Sequence, residues 1–297
     1  MRRASRSETL RRSDMPVPSE SASSSTVGES GEATRPVTKP GQAFAFIGGA
    51  AIGALGGLIG LGGAEFRLPL LIGPFRFRAL EAVILNKAMS LIVVATALPF
   101  RSASVPFAAV ASNWSIILNL LAGSLAGAWF GAGWATKLSS RNLYRTLAAL
   151  LALIAGALVF GHGATAASAH LSGALLIVAG VIAGFGIGIV SSLMGVAGGE
   201  LLIPTLALLF GADIKLAGSL SLAVSLPTMI VGFSRYSRDS AFGVVTRNKA
   251  FVLIMALGSI AGTFIGGRLL GIVSDQLLIP ALALILLASS VKVWRHE

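Results

Sequence analysis

Two stretches decide the fold: Gly53-Ala-Leu-Gly-Gly-Leu-Ile-Gly-Leu-Gly-Gly-Ala-Glu-Phe-Arg-Leu-Pro69 and, 135 positions later, Gly188-Ile-Val-Ser-Ser-Leu-Met-Gly-Val-Ala-Gly-Gly-Glu-Leu-Leu-Ile-Pro204. Laid on one another without a gap, they place Gly60 on Gly195, Gly63 on Gly198, Glu65 on Glu200 and Pro69 on Pro204. The register holds downstream, where Ser90 falls on Ser225 and the ladder Gly123, Gly127, Gly131 falls on Gly258, Gly262, Gly266. Chance similarity between apolar segments would not keep Gly, Glu, Pro and Ser in step over such a length. The chain is a duplication.

The sequence around these stretches belongs in lipid. It is 55% hydrophobic and 12% charged, with a mean hydropathy of +0.84, whereas soluble domains carry roughly 25% charged residues. Crossing a hydrocarbon core about 30 Å thick takes roughly 20 helical residues. Runs of that order recur near 43–62, 79–100, 114–136, 143–161, 171–194, 215–234, 250–271 and 277–293. Two shorter apolar stretches, near 65–75 and 200–210, cover only about half the core at about 1.5 Å per residue.

The expected fold is an all-α polytopic membrane protein, with eight long transmembrane helices and two short half-length or re-entrant segments arranged as two inverted repeats. Residues 1–41 form a disordered basic cytoplasmic tail, 42–161 the first transmembrane repeat and 162–297 the second. The tail is rich in Ser, Arg, Glu and Pro and has no apolar run before Phe44, so it has too little to bury against chain entropy and lacks the apolar stretch of a signal peptide. Its cluster Arg2, Arg3, Arg6, Arg11 and Arg12 is read as a solvated tail, with a lipid-touching or regulatory patch as the alternative.

Composition excludes several functions. The chain has no cysteine, which removes disulfides, thiolate metal sites and Cys nucleophiles. Its three histidines, His162, His170 and His296, lack metal-site spacing and lie outside the apolar runs, so no metal, no cofactor and no enzyme are expected. The formal charge of +11 sits in the tail and between spans. It points to anionic lipid surfaces and not to nucleic acid.

Sidedness follows from the loops, because cytoplasmic loops are enriched in Lys and Arg. Arg76 and Arg78, then Lys137, Arg141 and Arg145, then Arg235, Arg238, Arg247 and Lys249, and finally Lys292 and Arg295 all fall on one side if each short segment crosses, or if it pairs with the preceding helix as a re-entrant hairpin. The loop 161–170, without Lys or Arg, lies opposite. Both termini then face the cytoplasm. Five apolar segments per copy, an odd number, turn the second copy upside down, the arrangement of many secondary transporters with a site near the midplane. Arg67, Arg101, Lys215 and Arg268 run against this scheme by falling near the outer side.

The two glycine ladders are small-xxx-small faces, which let backbones approach where lipid gives no hydrophobic drive for association. The ladder helices are expected to pack closely, against equivalent partners. The glycines before each Glu-x-x-x-Pro are different. They let a membrane helix unwind, and the freed N–H groups, with the positive end of the next short helix, can hold an anion. Gly60, Gly62 and Gly63, and Gly195, Gly198 and Gly199, are therefore candidate backbone ligands; packing alone is the competing reading, and a dinucleotide fingerprint fails for want of a βαβ unit. Pro69 and Pro204 are expected near the starts of the short helices, where a missing N–H costs little.

Charged groups inside spans are costly and so are candidates for function. Glu65 and Glu200 either exchange protons for coupling or pair with Arg67 and Lys87 as locks. Asn86-Lys87 lies halfway along a span, with Ser221-Leu222 in the equivalent place; Lys87 attracts anions or forms a salt bridge to Glu65 or Glu200. Ser90, Ser225, Ser219, Ser221 and Thr96 offer hydroxyls, which in membrane helices most often bond their own backbone.

At Gly-Gly-Ala-Glu-x-x-x-Pro and Ala-Gly-Gly-Glu-Leu-Leu-Ile-Pro the chain resembles the sulfite exporter TauE/SafE family of bacterial membrane transporters, over about 42–293. The family's motif, like Gly-x-x-x-Gly-x-Gly-Gly-Gly-x-x-x-x-Pro, is matched by Gly56, Gly60, Gly62, Gly63 and Pro69, and less fully by Gly195, Gly198, Gly199 and Pro204. Ala64-Glu65 stands where a third Gly is common, and Glu65-Phe-Arg67 and Asn86-Lys87 bring charges where the family has neutral residues. The resemblance implies an exporter or carrier of a small anion such as sulfite, a sulfonate or a related organic anion, with protons or another ion for coupling. The alternative is a non-transporting scaffold or assembly factor whose basic tail is the interaction element.

Overall fold

The computed structural model describes residues 39–59, 63–101, 105–161, 172–269, 284 and 287–295. Its elements are helical throughout, with no strand among the described residues: α1 Lys39–Ile59, α2 Ala64–Ile72, α3 Ala79–Arg101, α4 Phe107–Ser112, α5 Trp114–Ala135, α6 Ser140–Gly161, α7 Ala174–Met194, α8 Gly199–Phe210, α9 Ile214–Tyr236, a 3₁₀ turn Ser240–Phe242, α10 Gly243–Arg247 and α11 Lys249–Leu269. A last helical stretch covers 287–294. Most of the tail 1–41, Gly60, Gly62, the loop with His162 and His170, and much of the segment near 277–293 lie outside the described residues. The first helix starts at Lys39, a little ahead of the tail boundary expected from composition.

Among the described residues five helices are long and apolar enough to cross a membrane, with spans Ala79–Ala97, Trp114–Ala135, Ala174–Met194, Lys215–Tyr236 and Lys249–Gly266. Of the eight expected, the one near 277–293 lies mostly outside the described residues. α1 and α6 reach 21 and 22 residues, and the apolar stretch Gly41–Leu55 of α1 is shorter than a span. The outer faces carry Ile47, Phe130, Leu175, Ile182, Leu257 and Phe264 in the open, a surface that suits lipid as the surrounding solvent. This is a multi-pass membrane protein.

The helices pack in equivalent pairs. α5 packs on α7 and α11 on α1, α5 on α9 and α11 on α3, α2 on α3 and α8 on α9, while α3 packs on its own equivalent, α9. The glycine ladders make these contacts close: a methyl group on Gly123 or Gly127 would overlap the carbonyl of Val181 or Phe185, and one on Gly258 or Gly262 that of Phe46 or Ala50. Phe46 and Ala50 are the counterparts of Val181 and Phe185 in the duplication. Gly131 against Ile189 and Gly266 against Ala54 complete the set. The ladders therefore serve packing, each against the first helix of the other copy.

Most of the basic groups expected to share a side that are traced by contacts gather at one end of the bundle. Arg247 pairs with Glu81 at 3.4 Å, Tyr144 bonds the Ala79 backbone beside Arg78 and Glu81, Arg145 lies over Trp294, and Arg235 and Arg238 lie over Trp129. Arg67 is elsewhere. It is fully buried, because α2 lies inside the bundle against α3.

Candidate functional site

The two short helices start at glycines in the left-handed region, Gly63 (φ 69°) before α2 and its equivalent Gly198 (φ 81°) before α8, while Gly195 (φ 69°) ends α7. An L side chain is strained at these angles. Gly195 also abuts the Val83 carbonyl of α3, so that α3 seats directly on the break. Neither α2 nor α8 has a side-chain cap. Their first N–H groups therefore have no helical carbonyl to bond, and the positive end of each helix points into the protein.

The prolines sit differently from the expectation. Pro69 and Pro204 each occupy the sixth position of their helix, not the start. There the ring removes the donor that would have reached the carbonyl four residues back, which is that of Glu65 in one copy and Glu200 in the other. The break thus continues into the helix on the side of the acidic residue.

Both breaks come together on α3. This is the most enclosed of the five spans, 72% buried against 28% for α7. The Asn86 Nδ2 donates to the Ala64 carbonyl of the first break and to the Met194 carbonyl of the second, both at 3.1 Å. Lys87 Nζ donates to the Ser191 carbonyl (3.2 Å), Ser191 Oγ (3.3 Å) and the Val196 carbonyl (3.3 Å); these three acceptors match the three donors of an ammonium. From α9, Ser225 Oγ donates to the Ala197 carbonyl at 2.8 Å and Tyr236 to the Ser192 carbonyl at 2.9 Å. The carbonyls released by unwinding α7 are thus taken up one by one by side-chain donors.

Two expectations need correction. Lys87 forms no salt bridge with Glu65 or Glu200; its charge is spread over carbonyls of the second break because that is what faces it across the α3–α7 contact. Glu65 is not locked by Arg67 either, since no ion pair joins them. The Glu65 and Glu200 carboxyls instead lie close to each other. Glu65 is 1% exposed, and one oxygen of each carboxyl, Glu65 Oε2 and Glu200 Oε1, is buried without a hydrogen-bond partner.

Arg67 was missed as a site residue. Its Nη1 donates to Ser90 Oγ at 3.4 Å, while Nε and Nη2 are buried and have no hydrogen-bond partner among the described residues. The available signal was its own repeat: the equivalent position holds Leu202, which is buried too. Of the hydroxyls, Thr96, Ser219 and Ser221 bond their own helix, whereas Ser90 and Ser225 reach another element. The structure thus brings together Gly63, Glu65, Asn86, Lys87 and Ser90 with Gly195, Gly198, Glu200 and Ser225; Gly199, open to added bulk, opens α8. Among the described residues no group of three or more His, Asp or Glu could hold a metal ion.

The family model of the sulfite exporter TauE/SafE matches residues 12–158 and 45–293. The chain belongs to the TauE/SafE family. No match is found among curated proteins or among solved structures. TauE/SafE proteins are membrane transporters.

Proposed function

We propose that this TauE/SafE member is a secondary transporter that moves a small anion, such as sulfite, a sulfonate or a related organic anion, across the bacterial inner membrane, with Gly60, Gly62, Gly63, Glu65, Asn86, Lys87, Ser90, Gly195, Gly198, Gly199, Glu200 and Ser225 around its path. The observation that carries the proposal is the Asn86 amide, which bonds Ala64 and Met194 at once and so joins the two breaks at one place. Two helix starts converging there favour negative charge.

Charge balance supports an anion. The buried side chains of Arg67 and Lys87 favour an anion nearby, and two neighbouring carboxyls, Glu65 and Glu200, offer a place for a coupling proton because like charges so close repel.

An inverted pair of repeats, 42–161 and 162–297, with eight long spans, is the architecture that goes with this function. The exchange of partners between copies, α5 with α7 and α11 with α1, supports it. The basic groups at one end support cytoplasmic termini on that side. A scan of sulfite, methanesulfonate and acetate for thermal stabilisation of the purified protein tests the anion site: at least one should raise the melting midpoint well above an equal concentration of chloride, and no shift with any of them would sink it.

A further inference from the structure

The geometry points to Arg67 as the anchor of the transported anion, gripping two of its oxygens side-on, so that the substrate class is a planar or pyramidal oxyanion and not a halide. This rests on the transporter reading and deepens it. The guanidinium is 0% exposed. Its Nη1 is engaged by Ser90, and the two nitrogens without a partner, Nε and Nη2, are those of one edge, whose N–H bonds run parallel. That edge matches two oxygens of a carboxylate, sulfite or sulfonate, which is why arginine is favoured where bidentate recognition matters. A spherical halide can take only one point of it.

Three further observations favour a ligand over a packing role. A buried guanidinium with two donors unmet is costly, and the other copy shows that the position tolerates leucine, since Leu202 is buried in the equivalent place. The acid nearest in sequence, Glu65, is close enough for its charge to act on Arg67 but takes no hydrogen bond from Nε or Nη2, which have no partner among the described residues. Finally, Ser225, the counterpart of Ser90, ties its hydroxyl to the Ala197 carbonyl of the second break, whereas Ser90 is turned to Arg67. The duplicated scaffold therefore carries one fork, and one anion binds per chain. Ser90 acts through Arg67 as a positioning residue.

The test uses the full-length chain, as wild type, R67K, R67Q and S90A, with sulfite, methanesulfonate and acetate as oxyanion probes and bromide as the halide. Binding is read by calorimetry in detergent and flux in proteoliposomes. On the wild type alone, oxyanions should bind with one site per chain and at least tenfold more tightly than bromide; equal affinity would overturn the fork. R67K keeps the charge but loses the parallel edge, and should weaken oxyanion binding and raise its KM at least tenfold while leaving bromide within twofold. S90A should weaken oxyanions about threefold. R67K with unchanged oxyanion binding would overturn the assignment even where transport itself is normal. Binding that depends on Arg67 without any flux would keep the anchor and defeat the transporter reading. A wild type that neither binds nor carries the probes would defeat both. Should R67Q fail to fold, the wild-type selectivity and R67K decide.

Discussion

Glu65 and Glu200, equivalent residues of the two copies, lie close to each other inside the protein. The contact joins the two short helices, one from each copy, at their first turns. Each carboxyl is also in the first turn of its own short helix, where the helix end favours negative charge.

The proposal that this pair carries the coupling proton gives the first prediction. With a pH difference imposed across proteoliposomes, wild-type protein should accumulate anion above the level reached without a gradient. E65Q and E200Q should each abolish that accumulation and keep anion exchange at equal pH. Accumulation by both variants at the wild-type level would remove the pair from coupling.

Lys87 and Ser191 supply the second. Replacing Lys87 by Met removes its hydrogen bonds to the Ser191 and Val196 carbonyls; each keeps one other donor, the Val196 N–H and Ser191 Oγ, so the loss is that of hydrogen bonds from a charged group, about 1.5–3 kcal/mol. K87M should melt earlier in detergent and lose at least tenfold in anion flux. A variant with both stability and flux of the wild type would show that Lys87 neither holds the second break nor serves the anion.

The glycine ladders make the third, through a comparison of positions. G127A drives a methyl into the Phe185 backbone and G262A into that of Ala50, and such overpacking typically costs about 1–3 kcal/mol. Their losses in unfolding free energy should agree closely because the contacts are equivalent. At Gly186 an added Cβ meets nothing within 4 Å, so G186A should be neutral or gain up to about 1 kcal/mol of helix propensity. Equal effects at all three positions would argue against the ladder contacts.

Sidedness can be read in this cysteine-free chain with single reporters. Ser139, in the turn between α5 and α6, and Ser172, ahead of α7, are both exposed. S139C should react with an impermeant maleimide only from the cytoplasmic side and S172C only from the opposite side. Labelling of both from one side would refute the proposed topology.

Much of this was legible in the sequence. The duplication placed Glu65 on Glu200 and each ladder on the other, and the structure adds that the ladders face the first helix of the opposite copy. Partners that are backbone atoms were not legible. Lys87 looks for charge in a sequence reading, yet it finds the carbonyls of Ser191 and Val196, which carry no side-chain signal. Arg67 was hidden for another reason: a nine-residue helix shows no periodicity long enough to say which face is enclosed, and Glu65 two positions earlier suggested a pair. The prolines were misplaced because the helices begin directly after Gly63 and Gly198, so that each ring lies a full turn inside.

The central claim is that the two breaks form one path for a small anion. Uptake of radiolabelled sulfite, methanesulfonate and acetate by proteoliposomes of the purified chain tests it most directly. Saturable uptake of at least one of them, above empty liposomes and reduced at least tenfold in K87M, is the expected result; uptake of all three no greater than in empty liposomes would contradict it.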